Sequence, residues 1–191
     1  MDKIMPEITP KIRFATIWLA GCSGCHMSFL DLDEFLIDLA QHVDVVFSPV
    51  ASDVKEYPEN VDVCLIEGAV ANEENRELLE TVRANTKMLI AFGDCAVTTN
   101  VTGIRNQKGD ANVVLQRGYG ELSEEHQFPQ QISGGILPPL LPKVLPIDKV
   151  VNIDLYLPGC PPDAARIKAA IAPLLEGKLP EMKGREMIKF G

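Results

Sequence analysis

Four of the five cysteines in this chain stand where a β-rich run gives way to a turn. Cys22 and Cys25 share Gly21-Cys-Ser-Gly-Cys25, Cys95 ends Gly93-Asp-Cys95, and Cys160 lies in Pro158-Gly-Cys-Pro-Pro162. In a parallel α/β sheet the carboxyl ends of the strands share one edge, so thiols far apart in sequence can converge there. Four converging thiolates can hold an iron-sulfur cluster. The neighbouring glycines and prolines suit such a cage, which needs tight turns and close backbone approach.

Hydrophobic periodicity supports this sheet. Residues 13–20 read as a strand, 26–42 as a helix, and 44–50 and 61–66 as further strands, the second ending at Glu67-Gly68. Residues 73–85 read as a helix and 87–92 as a strand, with a helix starting near Ala96; 150–157 and 163–175 repeat the strand-then-helix order. Such alternation predicts a doubly wound, mostly parallel sheet. With 191 residues of 46% hydrophobic composition, a single domain over residues 1–191 is expected.

The rhythm fails between residues 104 and 149, which hold five glycines and five prolines and read as a long irregular insert. Its apolar half, residues 134–146, has too many prolines for a regular helix. It either folds over the domain's own core or is covered by a partner, and the aggregation risk of an exposed apolar stretch favours the partner. The tail, residues 176–191, mixes Lys, Arg and Glu and reads as a solvated or docking extension.

A formal charge of −9 with no basic stripe argues against a nucleic-acid partner. The longest apolar runs are strand length, far short of the roughly 20 residues that span a bilayer. The first eleven residues carry Asp2, Glu7 and two prolines and do not pattern as a secretory or transit signal, so a cytoplasmic location is expected. In a reducing compartment, cysteines spaced this unevenly point to metal or redox chemistry.

Thiolates select zinc, copper(I) or iron-sulfur clusters. Structural zinc usually takes two short-spaced cysteine pairs; here there is one pair and two distant single cysteines, leaving zinc the minor alternative to a cubane. Cys64 lies inside the apolar run 61–66, where a free thiol acts as a small buried hydrophobe. Four cysteines then suffice for one cluster, and any longer electron path continues in another polypeptide.

The segments Gly21-Cys-Ser-Gly-Cys-His-Met-Ser28, Glu67-Gly68, Gly93-Asp-Cys-Ala-Val-Thr98 and Leu157-Pro-Gly-Cys-Pro-Pro162 resemble the small subunit of nickel-iron hydrogenases. The short length and the stretch 98–106 most resemble the cytoplasmic bidirectional, NAD-reducing type, over residues 13–175. The resemblance implies a flavodoxin-like fold with one 4Fe-4S cluster on Cys22, Cys25, Cys95 and Cys160. It further implies docking on a large subunit that holds the nickel-iron centre, and a diaphorase module with FMN and further iron-sulfur clusters that reduces NAD. The related small subunit of respiratory complex I carries an adjacent cysteine pair, whereas two residues separate Cys22 from Cys25 here, which favours a hydrogenase.

Glu67, at a strand's carboxyl end, is a candidate for supporting the cluster or relaying protons, although a turn carboxylate facing water or capping a helix is at least as good a reading. His26 is a candidate for a hydrogen bond near the cluster, with a first-turn surface histidine the favoured reading. A thioredoxin-like oxidoreductase would explain Cys22 and Cys25 but not Cys95 and Cys160. An FMN carrier shares the expected fold but wants Ser, Thr and Gly where cysteines stand; backbone donors there keep FMN open as a ligand of this subunit. With no nucleophile, base or open metal position beyond the four cysteines, the isolated chain is expected to be a relay without catalysis of its own.

Overall fold

The computed structural model describes residues 11–122 and 137–191. Among these, seven runs form strands: β1 (Ile12–Trp18), β2 (Val43–Phe47), β3 (Val61–Glu67), β4 (Val70–Asn72), β5 (Thr86–Phe92), β6 (Leu140–Leu145) and β7 (Leu155–Leu157). Five of them make one sheet in the order β2-β1-β3-β5-β7, with every pairing parallel. This order is that of flavodoxin-like doubly wound folds.

Alternation along the strands splits the core in two. Phe14, Val63, Leu65, Ile90, Phe92 and Leu157 face one layer with α1 (Gly24–Leu30), α2 (Phe35–His42) and α6 (Ala164–Leu175). Ala15, Ile17, Cys64, Ile66, Leu89 and Ala91 face the other, where α3 (Glu73–Asn85) contributes Leu79 and Val82. The starts of α3 and α6 are set by side-chain caps: Asn72 accepts the Asn75 N–H at 2.7 Å and Asp163 the Arg166 N–H at 3.0 Å. No helix among the described residues is long and apolar enough to cross a membrane.

Three expectations need correction. The helix expected over 26–42 is two helices, α1 and α2, because Asp31-Leu-Asp-Glu34 forms turns between them and Asp33 takes a left-handed φ of 48°. The strand expected over 150–157 shrinks to β7, since the Asp154 carboxylate takes the Leu89 N–H at 2.8 Å and replaces strand pairing there.

The third concerns the insert. It begins with a 3₁₀ stretch (Asn100–Lys108) and the short α5 (Ala111–Leu115), and later supplies β6, which pairs antiparallel with β4. Pro142 is tolerated because the ladder joins Leu145 to Val70 and Leu140 to Asn72 and does not call on residue 142. Leu141, Val144 and Ile147 are buried against this chain's own core, so the described part of the apolar stretch is not a partner-covered surface. Residues 134–136 of that stretch lie outside the described residues. The tail also docks on its own domain: Arg166 donates to the carbonyls of Met187 at 3.0 Å and Lys189 at 2.9 Å.

Candidate metal centre

The cysteine-bearing turns follow β1, β5 and β7 at the carboxyl edge of the sheet. Cys22 precedes α1 and Cys25 sits in its first turn; Cys95 lies in the first turn of α4 (Asp94–Thr98); Cys160 follows β7. Cys25 and Cys95 are buried, while Cys22 and Cys160 are exposed. Burial pushes the Cys25 thiol far up, and the charges of Glu67, Cys95, Cys22 and Cys160 push it further. Cys95 is raised as well, by burial first and then by Cys22 and Cys160. A bound cation would reverse that penalty, because a coordinated thiol is deprotonated outright.

Cys64 stands apart in the middle of β3, fully buried, its thiol pushed up to about 12 by burial. It is the buried hydrophobe that its apolar surroundings suggested.

Backbone geometry holds these turns together. Gly93 has φ 86°, and a Cβ there would run into Cys25 Sγ. Its N–H donates to the Leu157 carbonyl at 2.9 Å, and the next N–H, of Asp94, donates to the Gly159 carbonyl at 2.9 Å. Gly159 has φ 140°, and a Cβ there would stand 2.5 Å from Pro162 Cα. The turns after β5 and β7 are therefore zipped to each other, which aligns Cys95 with Cys160.

Neither Glu67 nor His26 faces water, which for His26 departs from the favoured surface reading. Both are buried, Glu67 to 1% exposure and His26 to 5%. The Glu67 Oε2 accepts the His26 backbone N–H at 3.0 Å and lies 2.5 Å from its ring Nδ1. His26 faces inward because α1 buries Cys25, His26 and Ser28 together. Its Nε2 is buried without a partner.

Three polar residues escaped the sequence reading. Asp94, 6% exposed, accepts the Gly159 N–H at 2.5 Å and the Gly191 N–H at 2.9 Å. Arg166, 7% exposed, donates to the Pro158 carbonyl at 2.5 Å. Asn100 donates from Nδ2 to Cys160 Sγ at 3.2 Å. A signal existed for Arg166, which falls on the helix face of Ile167, Ala170 and Leu174, and for Asp94, which sits between a glycine and a cysteine; Asn100 gave none.

The donor set fits an iron-sulfur group. Among the described residues no three His, Cys, Asp or Glu side chains are grouped closely enough to hold a single metal ion. A cubane takes one thiolate on each of four irons and so accepts ligands from separate turns.

Comparison with known proteins agrees with this architecture. A family model described as NADH ubiquinone oxidoreductase, 20 Kd subunit, matches residues 22–174. The chain is 39% identical over 174 residues to a subunit of the vhu F420-non-reducing hydrogenase of Methanococcus voltae, covering 90% of this chain and 59% of that protein. It is 36% identical over 170 residues to the delta subunit of the NAD-reducing hydrogenase HoxS of Cupriavidus necator, covering 88% and 80%. A chain of the NAD+-reducing [NiFe]-hydrogenase, solved in the H2-reduced state, superposes with a TM-score of 0.87 at 38% identity, over 95% of this chain and 100% of that one. The chain spans between half and two thirds of the length of the F420-non-reducing relatives.

Proposed function

The chain belongs to the NADH ubiquinone oxidoreductase 20 Kd subunit family, and we propose that it is the electron-relay small subunit of a nickel-iron hydrogenase of the NAD-reducing kind. Cys22, Cys25, Cys95 and Cys160 hold one 4Fe-4S cluster in this reading. The observation that carries it is that the four cysteines stand on turns at the carboxyl ends of three strands of one sheet, turns joined by the Gly93–Leu157 and Asp94–Gly159 hydrogen bonds and by the approach of Gly93 to Cys25 Sγ, with Cys64 buried in mid-strand. The likeness to a chain of an NAD+-reducing [NiFe]-hydrogenase supports the choice of complex, as do the two residues between Cys22 and Cys25.

Bound there, the cluster supplies storage for one electron at a time. This chain's residues give it two different sides. Buried Cys25 and Cys95 face the dry interior, and exposed Cys22 and Cys160 face the surface, where a partner's redox centre can approach. The zipped turns around Gly93 and Gly159 keep the ligands from shifting when charge changes. Glu67 holds His26 by backbone and ring at once, which fixes the start of α1 and with it Cys25.

In this reading hydrogen would be split on a large subunit with a nickel-iron centre, and electrons would cross this chain to a diaphorase with flavin and further clusters, which would reduce NAD. The two activities separate cleanly in a purified complex carrying Cys95→Ala or Cys160→Ala with its subunits still together. Hydrogen-dependent NAD reduction should fall away while electron transfer from NADH to an artificial dye continues. Undiminished hydrogen-to-NAD transfer would rule out the relay. The 39% identity to a subunit of an F420-non-reducing hydrogenase favours a second reading, in which the same relay feeds a different acceptor module; copurification without a diaphorase would select it.

A further inference from the structure

The turn after Cys95 brings a side-chain donor to a different cysteine, Cys160. α4 closes with the Thr99 N–H on the Cys95 carbonyl at 3.0 Å, and Thr99 and Asn100 then take left-handed φ of 70° and 40°. This carries Asn100 Nδ2 to 3.2 Å from Cys160 Sγ.

Left-handed backbone at successive non-glycine residues persists only where the surroundings over-determine it. Here they do. Thr102 Oγ1 donates to the Thr99 carbonyl at 2.6 Å, the Gly103 N–H donates to the same oxygen at 3.3 Å, and a Cβ at Gly103 would strike the Thr99 side chain. Further along the 3₁₀ stretch, Arg105 donates to the carbonyls of Ala71 at 2.8 Å and Leu141 at 2.9 Å. Asn106 accepts the Val144 N–H at 2.7 Å and donates to the Val144 carbonyl at 2.9 Å. The insert, through β4 and β6, is thus the rigid mount of the turn.

Resting on the reading that these cysteines ligate a cluster, we propose that Asn100 is a redox-tuning residue, donating its amide N–H to the Cys160 thiolate and so raising the cluster's reduction potential. The reduced cluster carries one more negative charge than the oxidised one. A donor on a ligand sulfur therefore stabilises the reduced form more. Cys160 is exposed, so a partner can approach the thiol that Asn100 holds.

The test is a redox titration of the full chain, purified anaerobically with its iron-sulfur group, followed by absorbance and electron paramagnetic resonance. Asn100→Gly keeps the left-handed turn and removes the donor; Asn100→Asp keeps the shape and replaces the donor by a carboxylate. Thr99→Gly relaxes the turn while leaving Asn100 in place. Both Asn100 variants should retain iron and sulfide, with a three- to tenfold lower reduced-to-oxidised ratio at fixed potential, tenfold being about 59 mV for one electron. Thr99→Gly should titrate with the parent. Loaded Asn100 variants with unchanged potential, or a Thr99→Gly shift as large as theirs, would overturn the tuning role alone. A parent chain without iron and sulfide would overturn the cluster reading itself, and this inference with it.

Discussion

Glu67 grips His26 twice with one oxygen, through the backbone N–H at 3.0 Å and the ring Nδ1 at 2.5 Å, across 41 residues of sequence and in a site closed to solvent. The grip ties the end of β3 to the first turn of α1. Glu67→Ala orphans two buried donors at about 1–3 kcal/mol each, a large share of a domain's stability. Glu67→Gln keeps an acceptor and should cost roughly half as much. Thermal unfolding of the two variants should follow that order, with iron retention on chelator challenge declining in parallel. Equal melting of Glu67→Ala and the parent would show that the grip holds nothing.

The cysteines divide sharply by setting. Replacing Cys22, Cys25, Cys95 or Cys160 with Ala should abolish or degrade a cluster whose iron and acid-labile sulfide are equal in the parent. Cys64→Ala should keep both and lose only about 1 kcal/mol for the small cavity it leaves. Zinc without sulfide in the parent, or cluster loss at Cys64 but not at Cys95, would break the assignment.

Two glycines at positive φ should respond differently to alanine. Gly93 has φ 86° and ψ 164°, a region essentially reserved for glycine, and Gly109 has φ 78° and ψ −30°, so each substitution costs about 1–3 kcal/mol of backbone strain. Only at Gly93 does the new Cβ meet Cys25 Sγ; at Gly109 nothing lies within 4 Å. Gly93→Ala should therefore forfeit the cluster, and Gly109→Ala should keep it with a slightly lower melting temperature. Iron content of the two purified variants is the measurement.

The sheet was legible because its strands are buried on both faces and read as continuous apolar runs between turn signals, as residues 61–66 do. The four thiols were legible because each sits next to glycine or proline, or one residue away. What sequence reading missed were pairings across distance. His26 looks like a surface residue until Glu67, at the end of another strand, supplies its partner. Leu141 and Val144 looked exposed because no period announces β6, whose short partner β4 follows Gly68. Asn100 carries no local signature, since its role depends on a turn bolted to the insert by Arg105 and Asn106.

At the opposite end of the sheet, Asp62 gives the chain a pH-dependent contribution. Burial pushes its carboxyl up, but the Lys87 ammonium at 2.7 Å and the Arg13 N–H at 2.8 Å overcome this and hold it below the usual carboxylate range. A depressed folded value stabilises above the unfolded pKa of about 3.9 and is lost as pH falls through the folded value. Asp62→Asn should cost about 0.5–1 kcal/mol at pH 7, the scale of a partly exposed pair. The gap between variant and parent in urea denaturation should be full above the unfolded pKa and close as pH falls through the lower folded value. A gap independent of pH would assign the loss to geometry and not to charge.

The insert offers the sharpest contrast between core and surface. Leu141 and Val144 are buried beside Ile147 on the α3 face of the sheet, while Lys143 between them is exposed. Leu141→Ala should cost about 2–4 kcal/mol in the chain by itself, since a buried leucine loses both transfer energy and packing. Leu141→Asp should prevent stable folding, because an unpaired charge would be buried. Lys143→Glu should be nearly neutral. If β6 were instead a docking strand for another protein, Leu141→Ala would melt with the parent and weaken only assembly, so melting of the full chain alone decides between the two.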